Sequence, residues 1–544
     1  MIRLSALAAL ALAAAASAQD ADPGGRFEVP VSDLLRRSGE PVQGVGFDPD
    51  GAVRARGAVL SFGDPPSGGE LYHPYALEVA LTRLLGFDAA SVEVDSERGV
   101  LRAQTSAGGR QRLERQLAWL RAVEAARHAL RLEAYLLPEV PAGVRAGLAL
   151  DDAAREALAA ERPWLRLELA LTDGVAQEAC ALVRERTFLA DYEVNQTGAV
   201  PVLNPVQGVF REGLWVRAAI SREPQGERRV LVYELGAALL EGTTAGGYRA
   251  GLPLTLPTWS ALDARGSFGW AGAAQVPLVV AQDPACAGGR ALVVVASLAP
   301  GPACPPPPDP AVVLRRHAWG ALDRRCLPDY HAEGLGVDAE RRTRILDALD
   351  GAVGAERWSD ESFAESTDTG LVVCQTQAVQ EQLARALQRY ARSRSVGHTL
   401  VLEGAPGTVR LGVSAVAADP VEIGWRRLRR VLEGIERSAG PVSVRFEDPG
   451  EDPVVGARVH GTRVSLSAHT LTGLQTELGL ERETLGEGER QRTTPWGTLT
   501  WPEPGPRWAV RARVRATGAP VVAAELRPLG GEPVRVTLDT QEAP

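Results

Sequence analysis

Seven histidines, five cysteines and a few carboxylate and glycine groupings are the residues of this 544-residue chain whose types could support catalysis or metal binding. The histidines, His73, His128, His317, His331, His398, His460 and His469, are scattered. None falls in an H-E-x-x-H spacing, which would place two imidazoles on one helix face to hold zinc. A lone histidine in such settings reads as a surface or internally satisfied residue. No G-x-S-x-G elbow presents a nucleophilic serine. Gly404-Ala405-Pro406-Gly407-Thr408 resembles a phosphate loop superficially, but it lacks the G-K-[ST] ending and reads as a hairpin turn. Asp360, Glu361, Glu365 and Asp368 form an acidic group of the kind that binds a hard cation, with a solvated loop as the simpler reading. Trp215, Trp270, Trp496, Trp501 and Trp508 fall in strand-like stretches. They are expected to pack in cores, with an aromatic patch for a glycan or a protein as the alternative. The residues therefore assign no catalytic, cofactor-binding or metal site, and the expectation is a protein that is not an enzyme and needs no cofactor.

The cysteines are Cys180, Cys286, Cys304, Cys326 and Cys374, and their spacings match no zinc site. The odd count leaves at least one thiol unpaired within the chain. Cys286 and Cys304 flank a strand-like run and could close a short loop, a bridge worth about 3 kcal/mol. The alternative is that all five are small buried hydrophobes.

Charge and composition exclude some classes. The chain contains no lysine, so its 59 basic residues are arginines, yet the net charge is −9. A nucleic-acid binder shows a basic face. Here the basic runs are short clusters such as Arg426-Arg427 and Arg429-Arg430, so no nucleic-acid partner is expected. Arg3, the apolar run Leu4–Ala15 and Ala16-Ser17-Ala18 have the layout of a secretory signal peptide, which predicts residues 1–18 as a cleaved leader and Gln19 as the mature start. No later run reaches the roughly 18 apolar residues of a membrane helix. Export to a periplasmic or outer-membrane-associated location is expected.

The elements follow from periodicity. Gly99–Pro138 reads as strand, helix, strand: Val100–Thr105 alternates, Ser106 can cap a helix, Leu113, Leu117 and Leu120 recur at helical spacing, and Leu130, Leu132, Ala134 and Leu136 alternate again. The same pattern returns at Gly370–Leu402, where Gln375-Thr376 matches Gln104-Thr105 and Leu383, Leu387 and Tyr390 match the helix leucines. A repeat this long predicts duplicated domains. Tyr75–Leu85 is an amphipathic helix stopped by Gly86, with Ile345–Val353 as its counterpart. Asp151–Glu161 reads as a short helix. Leu165–Leu171, Leu214–Ile220, Arg229–Leu235 and Ala291–Leu298 are strand candidates, and an arginine-rich helix is expected around Val421–Arg437. The tract Leu254-Thr255-Leu256-Pro257 recurs as Leu499-Thr500-Trp501-Pro502.

The predicted fold class is α+β: two small α+β units, each followed by a β-rich, sandwich-like domain. The predicted organisation is an α+β unit at 19–130, a β-rich domain at 131–299, a proline-rich linker at 300–310 that acts as a semi-rigid spacer between the halves, a second α+β unit at 311–396 and a second β-rich domain at 397–544.

This layout resembles the secretins, the outer-membrane ring proteins of type II and type III secretion systems. Val92–Leu120 looks like a secretin N-domain. Thr187–Ile220, with Glu212-Gly213-Leu214-Trp215-Val216, is similar to the start of the secretin core, and Leu254–Leu298 is similar to its closing strands. The resemblance implies self-association through the N-domain-like units into a ring, with cores that share a double-walled barrel, possible outer-membrane association, and a role in protein secretion. No pair of long alternating strands bounded by aromatics stands out as a membrane girdle. The reading is thus an exported, non-enzymatic assembly or scaffold protein of the bacterial envelope, with the first unit, residues 26–130, as the main protein contact. Its alternatives are a monomeric periplasmic binding or scaffold protein that forms no pore and, last, an exported hydrolase.

Overall fold

The structure is a computed structural model, and it describes residues 25–35, 46–48, 71–86, 89–124, 127–195, 202–223, 228–248, 252–270, 274–299, 305–318, 363–367, 370–388, 395–403, 408–416, 421–433, 454–469, 475–494, 497–515, 520–526 and 534–542. The expected leader at 1–18, the expected helix Ile345–Val353, His331, Cys304, Cys326, Trp496, Asp360, Glu361 and Asp368 lie outside these. The chain is mostly β-sheet with few helices.

The first small layer is built from β1 (Arg26–Pro30), α1 (Ser32–Leu35), α2 (Pro74–Leu85), β3 (Ala89–Asp95), β4 (Val100–Thr105) and α3 (Ala107–Glu124), with the short β2 (Gly46–Asp48) placed elsewhere. Its sheet runs β1-β4-β3, all antiparallel. Pro74 opens α2, the Tyr75 backbone N–H donates to His73 Nδ1 at 3.3 Å, and Gly86 ends the helix at φ 56°. The expected stripe Leu77, Leu81, Leu84 and Leu85 is buried. In α3 the Gly109 N–H donates to Ser106 Oγ at 3.1 Å, so Ser106 caps as its type predicts. Gly109 itself is required, because a Cβ there would lie 2.0 Å from Thr105 Oγ1. Leu113, Leu117 and Leu120 are fully buried over the sheet.

The next strands are β5 (Arg127–Leu137), β6 (Leu165–Thr172) after α4 (Asp152–Ala159), β7 (Gln177–Asn195), β8 (Val202–Arg222), β9 (Arg229–Tyr248), β10 (Leu252–Trp270), β11 (Val276–Gln282) and β12 (Ala291–Ala299). A second small sheet, β13 (Val313–Ala318), β14 (Phe363–Ser366) and β15 (Gly370–Gln375), precedes α5 (Gln377–Gln388). It runs β13-β15-β14. Then come β16 (Ser395–Glu403), β17 (Val409–Val416), β18 (Val421–Glu433), β19 (Val454–His469), β20 (Gln475–Thr494), β21 (Gly497–Arg515), β22 (Val521–Leu526) and β23 (Val534–Glu542).

Two large antiparallel sheets draw on both halves of the chain. One runs β22-β23-β16-β17-β11-β12-β5-β6. The other runs β7-β8-β9-β10-β18-β19-β20-β21, with β2 also beside β8. They share one core, in which Leu130, Leu132, Leu292, Val294, Leu400 and Leu411 of the first face Leu214, Val216, Leu235, Leu262, Ile423 and Trp425 of the second. The other face of the first sheet is covered by α4, through Ala154 and Leu158 against Tyr135, Val293 and Val295. Burial on both faces explains the uninterrupted apolar run of β12.

Four sequence expectations change. The strand after α3 does not return to the small sheet: β5 pairs with β12 and β6, because its alternate residues fill the two cores flanking the large sheet. The arginine-rich stretch at 421–433 is a strand, not a helix. Val421, Ile423 and Trp425 are buried at a spacing of two, and this period-two burial overrides the helical preference of arginine. The described part of the proline-rich linker, residues 305–310, does not hold the halves apart: Trp119 Nε1 donates to Pro305 O at 2.9 Å, and Val313, Leu314 and Val372 beyond it join the core of the first small layer. Finally, β7 to β10 are each 19 to 21 residues long, far beyond the short strands anticipated. Gly and Pro within them, such as Pro205, Gly213 and Pro257, hide that length from pattern reading.

Candidate functional site

The residues first considered for chemistry do not converge. His73 caps α2, while His128, His317 and His398 are buried. Burial lowers His128 and His398 to about 4 and His317 to about 3, so all three are neutral at pH 7. His460 and His469 lie on β19. Cys180, Cys286 and Cys374 are free thiols, so Cys286 is unbridged. Desolvation raises all three thiols, which keeps them protonated and weakly nucleophilic at neutral pH. Trp215 and Trp270 pack in cores, and Trp270 Nε1 donates to Ala274 O at 3.0 Å. Of the acidic group, only Glu365 is within described structure, on β14. Of the Gly404–Thr408 stretch, residues 404–407 lie outside the described residues, between β16 and β17. Among the described residues no three His, Cys, Asp or Glu side chains gather as a metal site would require. No described helix is long and apolar enough to cross a membrane.

Two polar clusters, the first buried and the second partly exposed, tie the elements together. Where the small layers meet, Arg316 Nη2 of β13 contacts Glu124 Oε2 at the end of α3 at 2.6 Å and donates to Asp173 O at 2.7 Å, and Tyr72 Oη donates to Glu124 Oε1 at 2.9 Å. Between β9 and β10, Glu241 accepts from Ser260 and from the Ala287 N–H, the latter at 2.7 Å, and pairs with Arg427 of β18 at 2.6 Å. Ala287 is held in the left-handed region at φ 52° by these bonds.

The long sheet carries a row of charges across its strands. Its register places Glu178 of β7 opposite Arg217 of β8, Arg217 opposite Glu234 of β9, Glu234 opposite Arg265 of β10, and Arg265 opposite Glu422 of β18. Five strands thus carry one row of alternating charge. Arg265 Nη2 meets Glu234 Oε1 at 2.6 Å, and Arg217 lies 3.8 Å from Glu178 and 3.9 Å from Glu234. Cross-strand opposite charges stabilise one register over its neighbours. The row continues through Ser465 and Gly479 to Arg511 on β21. Among the described residues this sheet ends at β7 on one side and β21 on the other, and the second large sheet ends at β6 and β22. End strands carry backbone donors and acceptors able to pair with another chain.

Sequence reading missed these charges, since each is a single charged residue within its own strand and only the cross-strand register aligns them. The bend of the sheet was missed as well. The β8–β9 ladder begins at Gly213, and residues earlier in β8 pair with β7 and β2 instead. A Cβ at Gly213 would lie 2.2 Å from Ala181 O, so only glycine permits this approach. Phe210, beyond the bend, meets Trp259 of β10 edge-on at 6.0 Å, and β7 comes close to β10.

No known protein-family model matches this chain, and no curated protein matches it.

Proposed function

We propose that this chain is an exported, non-enzymatic assembly protein of the bacterial envelope, secretin-like in plan, whose work is done by paired sheet edges rather than by a reaction centre. One observation carries the reading: each half contributes the same four-strand order to both large sheets. In the first half the orders are β11-β12-β5-β6 and β7-β8-β9-β10; in the second they are β22-β23-β16-β17 and β18-β19-β20-β21. Matching each strand with the one eleven places later reproduces both orders. The small sheets β1-β4-β3 and β13-β15-β14 share an order as well, and β4 and β15 each run into a helix. These parallels support a duplicated chain of two α+β units and two β-rich portions fused into one sandwich. A duplicated sheet with open ends suits a repeating assembly, either free in the periplasm or at the outer membrane, and one linked to protein secretion.

The test is the mass of the protein from Gln19 onward, measured by size-exclusion chromatography with light scattering, with and without detergent. The expected result is a discrete multimer. A strict monomer in both conditions over the micromolar range would replace this reading with the monomeric scaffold.

A further inference from the structure

The internal joint between the two halves provides a template for a joint between chains. In the long sheet the last strand of the first half, β10, pairs with the first strand of the second, β18. Under the repeat, β10 corresponds to β21 and β18 to β7, and these are the two ends of the sheet. In the other sheet β11 pairs with β17, and their counterparts β22 and β6 are again the two ends. Both open ends of both sheets are therefore the unused copies of joints the chain already makes with itself.

The ladders fix the register. The β8–β9 ladder starts at Gly213 and the β19–β20 ladder starts at Gly461, so these two glycines correspond. Gly213 lies opposite Leu182 and Gly461 opposite Arg426, which aligns Glu178, Ala179 and Cys180 with Glu422, Ile423 and Gly424. Val216 lies opposite Leu235, and Leu235 opposite Ala264; Val464 lies opposite Leu480, and Leu480 opposite Val510. Asp263, Ala264 and Arg265 thus align with Ala509, Val510 and Arg511. Burial agrees with the alignment: Ile423 and Trp425 belong to the shared core, and Ala179 and Ala181, their counterparts, pack against it.

We propose that the chain assembles head to tail with a second copy of itself, β21 of one molecule pairing antiparallel with β7 of the next, with Ala509 opposite Cys180 and Arg511 opposite Glu178. This deepens the assembly reading above and rests on it. The internal joint sets Arg265 opposite Glu422, and the same translation sets Arg511 opposite Glu178. The charge row therefore passes from chain to chain with an acid meeting a base at both kinds of joint. A slip of one residue would also turn the core-facing residues of the joining strand outward. A contact that uses two different edges is heterologous and repeats until the rotation closes a ring. Every chain supplies two sheet repeats, so half the joints in such a ring are covalently tethered. The occupant is a second copy because the template is this chain's own sequence on both sides of the joint.

The experiment is site-directed disulfide formation in the full chain from Gln19, with Cys304 and Cys326 changed to serine. Directly opposed residues of an antiparallel pair have Cα atoms about 4.5–5.5 Å apart, within the range a disulfide spans. Ala509→Cys, oxidised with copper phenanthroline, is expected to join native Cys180 and yield covalent dimers and higher multimers on non-reducing gels. Val510→Cys, one register position away from Ala509, and Ala509→Cys combined with Cys180→Ser are expected to yield none. If light scattering shows a multimer but Ala509→Cys gives no covalent species, the edge or register proposed here is wrong while the assembly reading stands. An internal disulfide at single-chain mass would mean that β21 closes on β7 of its own molecule, which overturns the proposal. A monomer without cross-links overturns both.

Discussion

His128 begins the core-facing run of β5 and His398 that of β16, each two residues before a fully buried leucine, Leu130 and Leu400. Burial lowers both to about 4, and Arg229 and Arg222 press His128 further in that direction. His317 falls to about 3 through burial and the neighbouring Arg315, even though Gln380 faces its ring at 3.2 Å. An unfolded chain titrates its imidazoles near 6.5. Between about 6.5 and about 4 the unfolded state takes up protons that the folded state refuses, so stability rises with pH across that window. The contribution is complete above 6.5 and is lost as pH falls. Urea melts should show an unfolding free energy that falls steeply from pH 6.5 to pH 4.5, by up to about 1.4 kcal/mol per unit per histidine. His398→Phe should flatten that slope; an unchanged slope would show that another group sets it.

Arg316 presents the opposite case, a buried cation kept ionised by a partner. Burial disfavours the Arg316 cation, but Glu124 and then Asp173 raise its pKa above the ordinary arginine value. Arg316→Met leaves the Glu124 carboxylate buried without its cation and should cost about 3–5 kcal/mol in chemical denaturation. Adding Glu124→Leu to Arg316→Met should recover most of that loss. A double variant as unstable as the single one would show that the pair matters by shape instead of charge.

At the scale of elements, the small units were the most legible in the sequence. Leu113, Leu117 and Leu120 at helical spacing, Ser106 before them and Gly86 after α2 all act in the structure as their types and positions predict. Leu117→Asp therefore puts a carboxylate into the fully buried face of α3, at a cost of several kcal/mol, and should lower the melting temperature of the whole protein or abolish folding. An unchanged melting curve would mean that α3 does not close over its sheet. The long strands were not legible in the same way. Their period-two signal is broken by Gly213, Pro257 and the register shifts in β7 and β10, while β18 carries an arginine cluster whose composition favours helix. Cross-strand partners are non-local, so no window of sequence contains both Glu178 and Arg217. The similar segments of the two halves were visible as local matches, but the pairing of both halves in common sheets was not, since it depends on which edges meet.

At the scale of the molecule, that fusion sets what a fragment can do. Residues 19–304 carry β10 and β11, whose partners β18 and β17 lie in residues 305–544. A cut at 304/305 uncovers two internal edges together with part of the shared core, where Leu278 and Val279 meet Leu411 and Val413. The small layers add the Arg316–Glu124 contact and Trp119 on Pro305 across the same cut. Neither fragment then has a satisfied surface, so neither should behave as an independent domain. Expressed separately, each is expected to be aggregated or poorly soluble, as open apolar edges predict. Expressed together, they should purify as a one-to-one complex with the melting temperature of the intact chain, less the contribution of the covalent link. Pulling down a tagged 19–304 fragment and weighing what comes with it checks this directly. Two fragments that stay soluble, monomeric and folded on their own would show that the halves are separate domains and that the joints β10–β18 and β11–β17 contribute little to stability.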